Sequence, residues 1–540
     1  MDCMKASDLL VRCLENEGVE YIYGVPGEEN LDFLESLNHS SIKLIVTRNE
    51  QTAVFMAATY GRLTGKAGVA LATLWPGATN MVTGIAHAQL GGMPLIVITG
   101  QKPIKKSKQG RFQIIDVVDM MRPITKRATS VPNGNRIPSI IRQAFKVAED
   151  EKPGAVHIEL AEDIAAEEVT QTTIFPREKI RRPQIDEKML AILVDRIGQA
   201  KTPIILVWSW ANRKRITKYL TKFIEKTNIP FFTSQMGKWV VTEALPQYLW
   251  TAALTANDYI HPIIDMADLL IVVGYDIVEK PTNYRHNNAD RQIIHINFTP
   301  ADVDDIYMPQ LEVVGDIGNT FWQLEESDLD ASMWNFDAVY TAARTMKEQI
   351  TANISLEKDS VVLMPRTMIV ELRWLLGPED ILALDNGLYK VRVARNYPAY
   401  APNTVLLDNA LATMGAGYSV GMTAKILNPD KKVVCLVGDG WLLMNLGDIQ
   451  TAVRLWLDLV IVVLNDSAYG MIKWKQKDMW FADYGLDLGN PNFVQLAESF
   501  GATGLRVEKA DDFAPTIQKA LDNTGVTIVE VVFAYPQKIE

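Results

Sequence analysis

Two apolar, β-branched runs in the last third of the chain each end in an acidic turn. The first is Leu436-Val437-Gly438-Asp439-Gly440 and the second Ile461-Val462-Val463-Leu464-Asn465-Asp466. Continuous apolar runs of this kind read as strands buried on both faces of a parallel sheet. The gap between them predicts one crossover helix, over roughly 445–457. Asp439 and Asp466 then stand at the carboxyl ends of neighbouring strands, the edge where open α/β sheets bind ligands. Two oxygen-rich turns there suit a hard divalent cation, Mg²⁺, whose remaining positions are filled by phosphate oxygens. A lone Gly-Asp-Gly would be an ordinary turn; its pairing with a second acidic strand end constrains the fold and the site together.

The 540 residues exceed one hydrophobic core and predict two to four domains. With 54 basic and 65 acidic residues the net charge is −11, which argues against nucleic acid as a partner. The densest basic stretch, Lys102 to Arg111, reads either as a solvated loop or as a surface that draws anions toward a cleft. Cys3, Cys13 and Cys435 show no metal-ligand spacing and predict no disulfides, hence a cytoplasmic setting. No apolar run is long enough to span a bilayer. Residues Ala6 to Glu15 read as a capped amphipathic helix, not a signal peptide.

Strands alternate with helical patterns in three units, predicting parallel sheets with right-handed crossovers. The first, over 1–170, has strands at Tyr21–Gly24, Ile42–Val46, Gly68–Ala72, Pro94–Thr99 and Ala155–Leu160. A polar, proline-containing linker is expected from Thr170 to Asp186. The second unit, over 186–345, has strands at Pro203–Val207, Ile229–Phe232, Leu269–Val273 and Ile293–Ile296. A helix-rich crossing over about 317–362 leads to the third, over 360–540. The fold expected is α/β, with three doubly wound parallel-sheet domains.

Further strings make a family resemblance specific: Tyr23-Gly-Val-Pro-Gly-Glu-Glu-Asn30, Arg48-Asn-Glu-Gln51, Gly61-Arg-Leu-Thr-Gly65, Pro76-Gly-Ala-Thr-Asn80, Phe112-Gln113, Arg122-Pro-Ile-Thr-Lys126, Met236-Gly-Lys238 and Met414-Gly-Ala-Gly417. With Gly438-Asp-Gly440, they show that nearly the whole chain resembles the thiamine-diphosphate (ThDP) enzymes of the acetolactate synthase and 2-oxoacid decarboxylase group. The likeness is greatest to the FAD-independent, catabolic-type synthases. It implies an N-terminal pyrimidine-binding domain, a central spacer domain and a C-terminal diphosphate- and Mg-binding domain. It also implies active sites at the subunit interface of a homodimer or homotetramer.

By this resemblance, Glu50 hydrogen-bonds the cofactor's pyrimidine nitrogen and helps remove the thiazolium proton. A carboxyl in an apolar cleft is suited to such proton sharing. Asp439, Asp466 and the carbonyl of Ala468 are implied as the metal's ligands. Pro26, Asn386, Gly387, Leu388, Tyr389, Gly438, Gly440, Trp441, Tyr469, Gly470 and Met471 are implied around the cofactor, with Met414 propping its bent form. Gln113 is implied to face substrate. Tyr469, Met471, Trp474 and Gln476 line a channel in the same reading, with core packing the alternative for Trp474. An ordinary core methionine is the alternative for Met414. Lys390 reads either as a charge near the diphosphate or as a surface lysine, and His87 as either cleft-facing or packed within its helix. The paired histidines of decarboxylase-type relatives are absent from Gly100-Gln101-Lys102-Pro103, which favours carboligation.

Large residues stand where the family is small: Trp75, Trp208, Trp210, Trp239, Trp250 and Trp441. Asn49 stands where relatives usually have histidine. Overpacking costs about 1–3 kcal/mol per site, and an indole is costly where glycine permits positive φ. Trp75 and Trp441 are expected near the cofactor. Trp208 and Trp210 are expected to fill the middle-domain groove used by FAD in biosynthetic relatives, so FAD is not expected. The function implied is condensation of two pyruvates to 2-acetolactate with release of CO₂. The alternatives are a 2-oxoacid decarboxylase releasing an aldehyde, or a ThDP-type fold whose cofactor site is blocked.

Overall fold

The computed structural model describes residues 4–105, 112–170, 173–177, 182–252, 259–279, 291–303, 307–357 and 363–533. It contains three six-stranded parallel sheets and a small two-stranded antiparallel pair, Met4–Lys5 with Glu168–Val169. The expected three-sheet α/β architecture is therefore present.

In the first sheet the strands lie in the order Lys43–Val46, Tyr21–Gly24, Gly68–Ala72, Leu95–Gln101, Ala155–Ala161 and Arg127–Ser130. The third runs Val405–Leu406, Ile381–Leu384, Val433–Gly438, Leu459–Asn465, Val526–Val532 and Thr503–Val507. Counted along the chain within each unit, both read 2-1-3-4-6-5. The two outer units thus share one topology. The middle sheet, from Pro203–Val207 to Leu311–Val314, reads 3-2-1-4-5-6. Its order reverses between Pro203–Val207 and Leu269–Val273, which places a ligand-type crevice beyond those strand ends.

The first and third units share a hydrophobic core. Helix Glu50–Thr64 packs on helix Gly417–Leu427, and Ala53, Ala57 and Ala58 on one side and Tyr418 and Met422 on the other are fully buried. Small residues let the two backbones approach, and Thr423 Oγ donates to the Met56 carbonyl at 3.2 Å. Glu50–Thr64 starts where Asn49 caps it, its side chain accepting the Gln51 N–H at 2.8 Å. It stops at Gly65, whose φ of 72° is the left-handed conformation glycine adopts without strain. Among the described residues no helix is long and apolar enough to cross a membrane.

Several expectations need correcting. The single helix at 445–457 is replaced by three short pieces, Asp439–Met444, Leu446–Asp448 and Ile449–Arg454. Helical structure thus begins on Asp439 itself. Strands Arg127–Ser130, Tyr248–Thr251 and Leu311–Val314 were not expected, being short and polar or interrupted by tryptophan. The 317–362 crossing contains helices Ile317–Glu326 and Asp337–Glu357; residues 358–362 lie outside the described residues, as do parts of the 170–186 linker, the basic stretch over 106–111, and Cys3. Lys102 is no solvated lysine: it is buried and paired with Glu29 at 2.6 Å. Cys13 and Cys435 are buried free thiols, Cys435 within its expected strand.

Candidate active site

Strand register brings the acidic turns together. Gly438 pairs with Leu464 across the two parallel strands, so Asp439 and Asp466 leave the sheet at nearly the same level. Asp439 Oδ1 accepts the N–H of Gly440 at 2.7 Å, and Oδ2 accepts the Ser467 N–H and the Asn490 amide, both at 2.8 Å. Asn490 also donates to Asn465 at 3.0 Å, while its own oxygen is buried without a hydrogen-bond partner. Burial and the adjacent Asp439 charge push the Asp466 carboxyl up to about 7. Burial also raises that of Asp439. A buried carboxylate and a half-buried one that resist ionising together are relieved by a cation between them. Among the described residues no group of three or more His, Cys, Asp or Glu could hold a metal. A cation here would therefore rely on this pair, neutral oxygens and its own ligands.

A second turn, Asp385-Asn386-Gly387, faces this edge. Buried Asp385 accepts the N–H groups of Asn386 at 2.7 Å, of Gly415 at 3.0 Å and of Gly417 at 3.0 Å, and burial pushes it up to about 6. It thereby locks the turn against Met414–Gly417, where Gly415 has a φ of 82°. Lys390 is not a surface lysine; its ammonium lies against the turn residue Asn386. It is buried, pulled down to about 8 by that burial, and donates to Asn386 Oδ1 at 2.7 Å, the Asp408 carbonyl at 3.0 Å and Asn409 at 2.9 Å.

Gly387, Leu388, Tyr389, Gly438, Asp439, Trp441, Asp466, Ala468, Gly470 and Met471 line one cavity of about 20 Å³. Gly440 and Tyr469 adjoin it: a Cβ on Gly440 would lie 3.2 Å from the Tyr469 ring. Met414 is 40% exposed, so it is not a core methionine. Trp474 is likewise no core residue, since its helix Gly470–Asp478 buries none of its side chains. Gln476 ties that helix to the next loop through both main-chain groups of Tyr484. Ser467 and Asn490 escaped sequence reasoning as site-forming residues, and no local motif marks either.

Glu50 lies at the carboxyl edge of the first sheet, buried, accepting the Asn80 amide at 2.9 Å. The preceding loop docks on the third unit, where the Arg48 N–H meets Asp448 at 2.7 Å. Among the described residues no hydrogen bond or ion pair joins Glu50 to Asp439 or Asp466. Pro26 is exposed just beyond strand Tyr21–Gly24, and Gln113 is exposed with a φ of 55°. Neither joins the cavity. His87 is buried in its helix, edge-on to Phe55 at 5.2 Å and 3.5 Å from Asp408, which is the packed reading.

The tryptophans divide by environment. Trp441 lies in the cavity, whereas Trp75 does not line it and instead packs on the core shared by the outer units. Trp208 is buried at the middle sheet's crevice, 5.0 Å from Tyr275. Trp210 lies beneath Lys152 at 5.1 Å. Trp239 is buried with a strained φ of 66°, and Trp250 packs partly buried on the middle core.

Three family models match the chain: the N-terminal TPP binding domain of thiamine pyrophosphate enzymes at 4–120, their central domain at 190–324 and their C-terminal TPP binding domain at 385–531. The fold and its ligand edge are those of a thiamine pyrophosphate (ThDP) enzyme. The chain is 30% identical over 538 residues to the acetolactate synthase of Bacillus subtilis (strain 168), covering 99% of this chain and 94% of the relative. It is 28% identical over 534 residues to the catabolic acetolactate synthase of Raoultella terrigena, covering 98% and 95%. Against a probable acetolactate synthase large subunit of Methanococcus aeolicus it is 29% identical over 549 residues, covering 96% and 90%. The chain belongs to the acetolactate synthase family of ThDP-dependent enzymes.

The residues present meet the cofactor's needs unequally. The carboxylate pair and the orphaned Asn490 oxygen suit a hard cation. The enclosed space beside them is small: about 20 Å³ is room for about one water. The Trp441 indole fills the remainder, donating its N–H to the Asn386 carbonyl.

Proposed function

We propose that the protein is an acetolactate synthase that condenses two pyruvates to 2-acetolactate and CO₂, using ThDP and Mg²⁺. The observation that carries this reading is the strand register that sets Asp439 and Asp466 side by side, opposite the Asn386-Gly387 turn. Asp439, Asp466 and the Ala468 carbonyl would hold the cation. Asn386, Gly387, Gly438 and Gly440 would approach the diphosphate, Met414 the rings, and Glu50 the pyrimidine, with Gln113 near substrate. Bound ThDP supplies the carbanion chemistry. The chain's own part is to orient the cofactor, exclude water and hold a proton at Glu50.

The domain assignments follow: pyrimidine binding over 1–170, a spacer over 186–345 and diphosphate binding over 360–540. Glu50 and the acidic turns lie on different sheets, and a second copy would complete the site in a homodimer or homotetramer. Exposed aromatics just beyond the acidic turns, among them Trp480 at 95% exposure and Tyr484 at 85%, support a covered surface there. The crevice of the middle unit, filled by Trp208 against Tyr275, supports the absence of FAD. The absence of paired histidines near Gln101 supports ligation over aldehyde release, and two buried thiols suit a cytoplasmic setting.

Incubation with pyruvate, saturating ThDP and Mg²⁺, followed by acid conversion of product to acetoin, tests the reading. Acetoin should dominate; acetaldehyde as the main product would reassign the protein as a decarboxylase.

A further inference from the structure

Trp441 occupies the place where the two phosphate-side turns meet. It is the third residue of helix Asp439–Met444 and is almost fully buried. Its indole N–H is donated to the main-chain carbonyl of Asn386. Its ring stacks on Tyr469, with centroids 5.1 Å apart and planes at 28°. A Cβ built on Gly438 would lie 3.5 Å from that ring, so the indole spans from one turn to the other. What remains open beside Asp439 and Asp466 is about 20 Å³.

Both contacts that hold the indole are separable. The Asn386 carbonyl is a single acceptor, and the Tyr469 ring is only half-buried. Outside the cavity the chain continues into the exposed helix Gly470–Asp478. Neither contact is made by the strands that end just before Asp439 and Asp466.

We propose that Trp441 is a gate on the cofactor cradle. A diphosphate enters only when the indole gives up the Asn386 carbonyl and leaves the face of Tyr469. The closed arrangement competes with the cofactor for the same space, and loading is coupled to this one side-chain movement. This inference rests on the ThDP assignment above. A binding-competent state populated at about 0.1–10% weakens apparent affinity by the same factor. Removing the indole should therefore tighten ThDP binding about tenfold or more.

The test is calorimetric titration of ThDP at saturating Mg²⁺ into the full-length protein, into W441A and W441F, and into W456N as an exposed-tryptophan control. W441A should bind about tenfold tighter or more. W441F, which keeps a ring but loses the indole N–H, should fall between. W456N should match wild type. The wild-type indole emission should change on binding, through a component missing from W441A. Should W441A fail to fold, W441F carries the comparison. Equal or weaker affinity in the Trp441 variants overturns the gate while leaving the ThDP assignment standing. No saturable heat in any variant overturns both.

Discussion

Asp439 accepts the backbone N–H of Ser467 at 2.8 Å, so the two acidic strand ends are joined directly to each other. The bond makes the proposed cation site a property of the sheet's register and not of two independent loops. Removing the carboxylate in Asp439→Ala would leave the Ser467 N–H and the Asn490 amide without this acceptor, at a cost of about 1–3 kcal/mol. It would also remove one of two charged oxygen donors. The Mg²⁺ requirement for acetolactate formation should rise at least about a hundredfold. Asp466→Asn, which keeps an oxygen, should cost about tenfold less than that. An unchanged Mg²⁺ titration in Asp439→Ala would remove Asp439 from the site.

The middle unit is joined to the third through Glu243, which also forms a buried ion pair within its own unit. Lys238 Nζ meets both carboxylate oxygens of Glu243 at 2.7 and 2.8 Å, and Glu243 also accepts the Ala399 N–H at 3.0 Å. Both side chains are 1% exposed. Lys238→Met strands the carboxylate in an apolar interior, which costs about 3–5 kcal/mol. Urea unfolding should shift to a clearly lower midpoint; an unchanged midpoint would mean the pair carries no stability.

Glu279 gives a pH signature. Its carboxyl accepts Ser234 Oγ at 2.7 Å and the Met236 N–H at 2.9 Å, yet burial pushes it up to about 7. The folded state therefore holds this proton after the unfolded chain has released it near the usual 4.5. Between these values the native state binds more protons, so stability falls as pH rises. The contribution is fully present below about 4.5 and lost above about 7, amounting to roughly 3 kcal/mol. Glu279→Gln should flatten stability against pH over this window. The same slope in wild type and variant would refute the assignment.

Trp456 has a φ of 53° and is 86% exposed, so it bears left-handed strain without the return of burial. Asparagine tolerates that conformation better. Trp456→Asn should raise stability by about 0.5–1 kcal/mol, read from chemical denaturation. A loss of stability would show that the indole makes contacts of real value.

The central strands were legible because they are long apolar runs buried on both faces: Tyr21–Gly24, Gly68–Ala72, Pro203–Val207 and Leu269–Val273 lie where the pattern placed them. Edge strands such as Arg127–Ser130 and Leu311–Val314 were not, because one face is half-open and their side chains are mixed. At the site, the acidic turns were visible as local strings. Asn490 was not, since it reaches Asp439 across 51 residues of sequence with no motif to mark it. The sequence left Lys390 open for a related reason. A lysine near a turn suggests solvent, but here three oxygens from Asn386, Asp408 and Asn409 satisfy its ammonium in the interior. The tryptophans showed that something unusual occurs at small-residue positions, but only packing separated Trp441, inside the cavity, from Trp75, outside it.

The most direct test of the account is complementation between two inactive chains, Glu50→Gln and Asp439→Ala, refolded or co-expressed together. If each site takes Glu50 from one protomer and the acidic turns from its partner, half the dimers are mixed and each carries one intact site. Acetolactate formation should then return to roughly a quarter of the wild-type rate. Mixtures that stay as inactive as either parent, with subunit exchange demonstrated, would contradict the shared site and the assignment built on it.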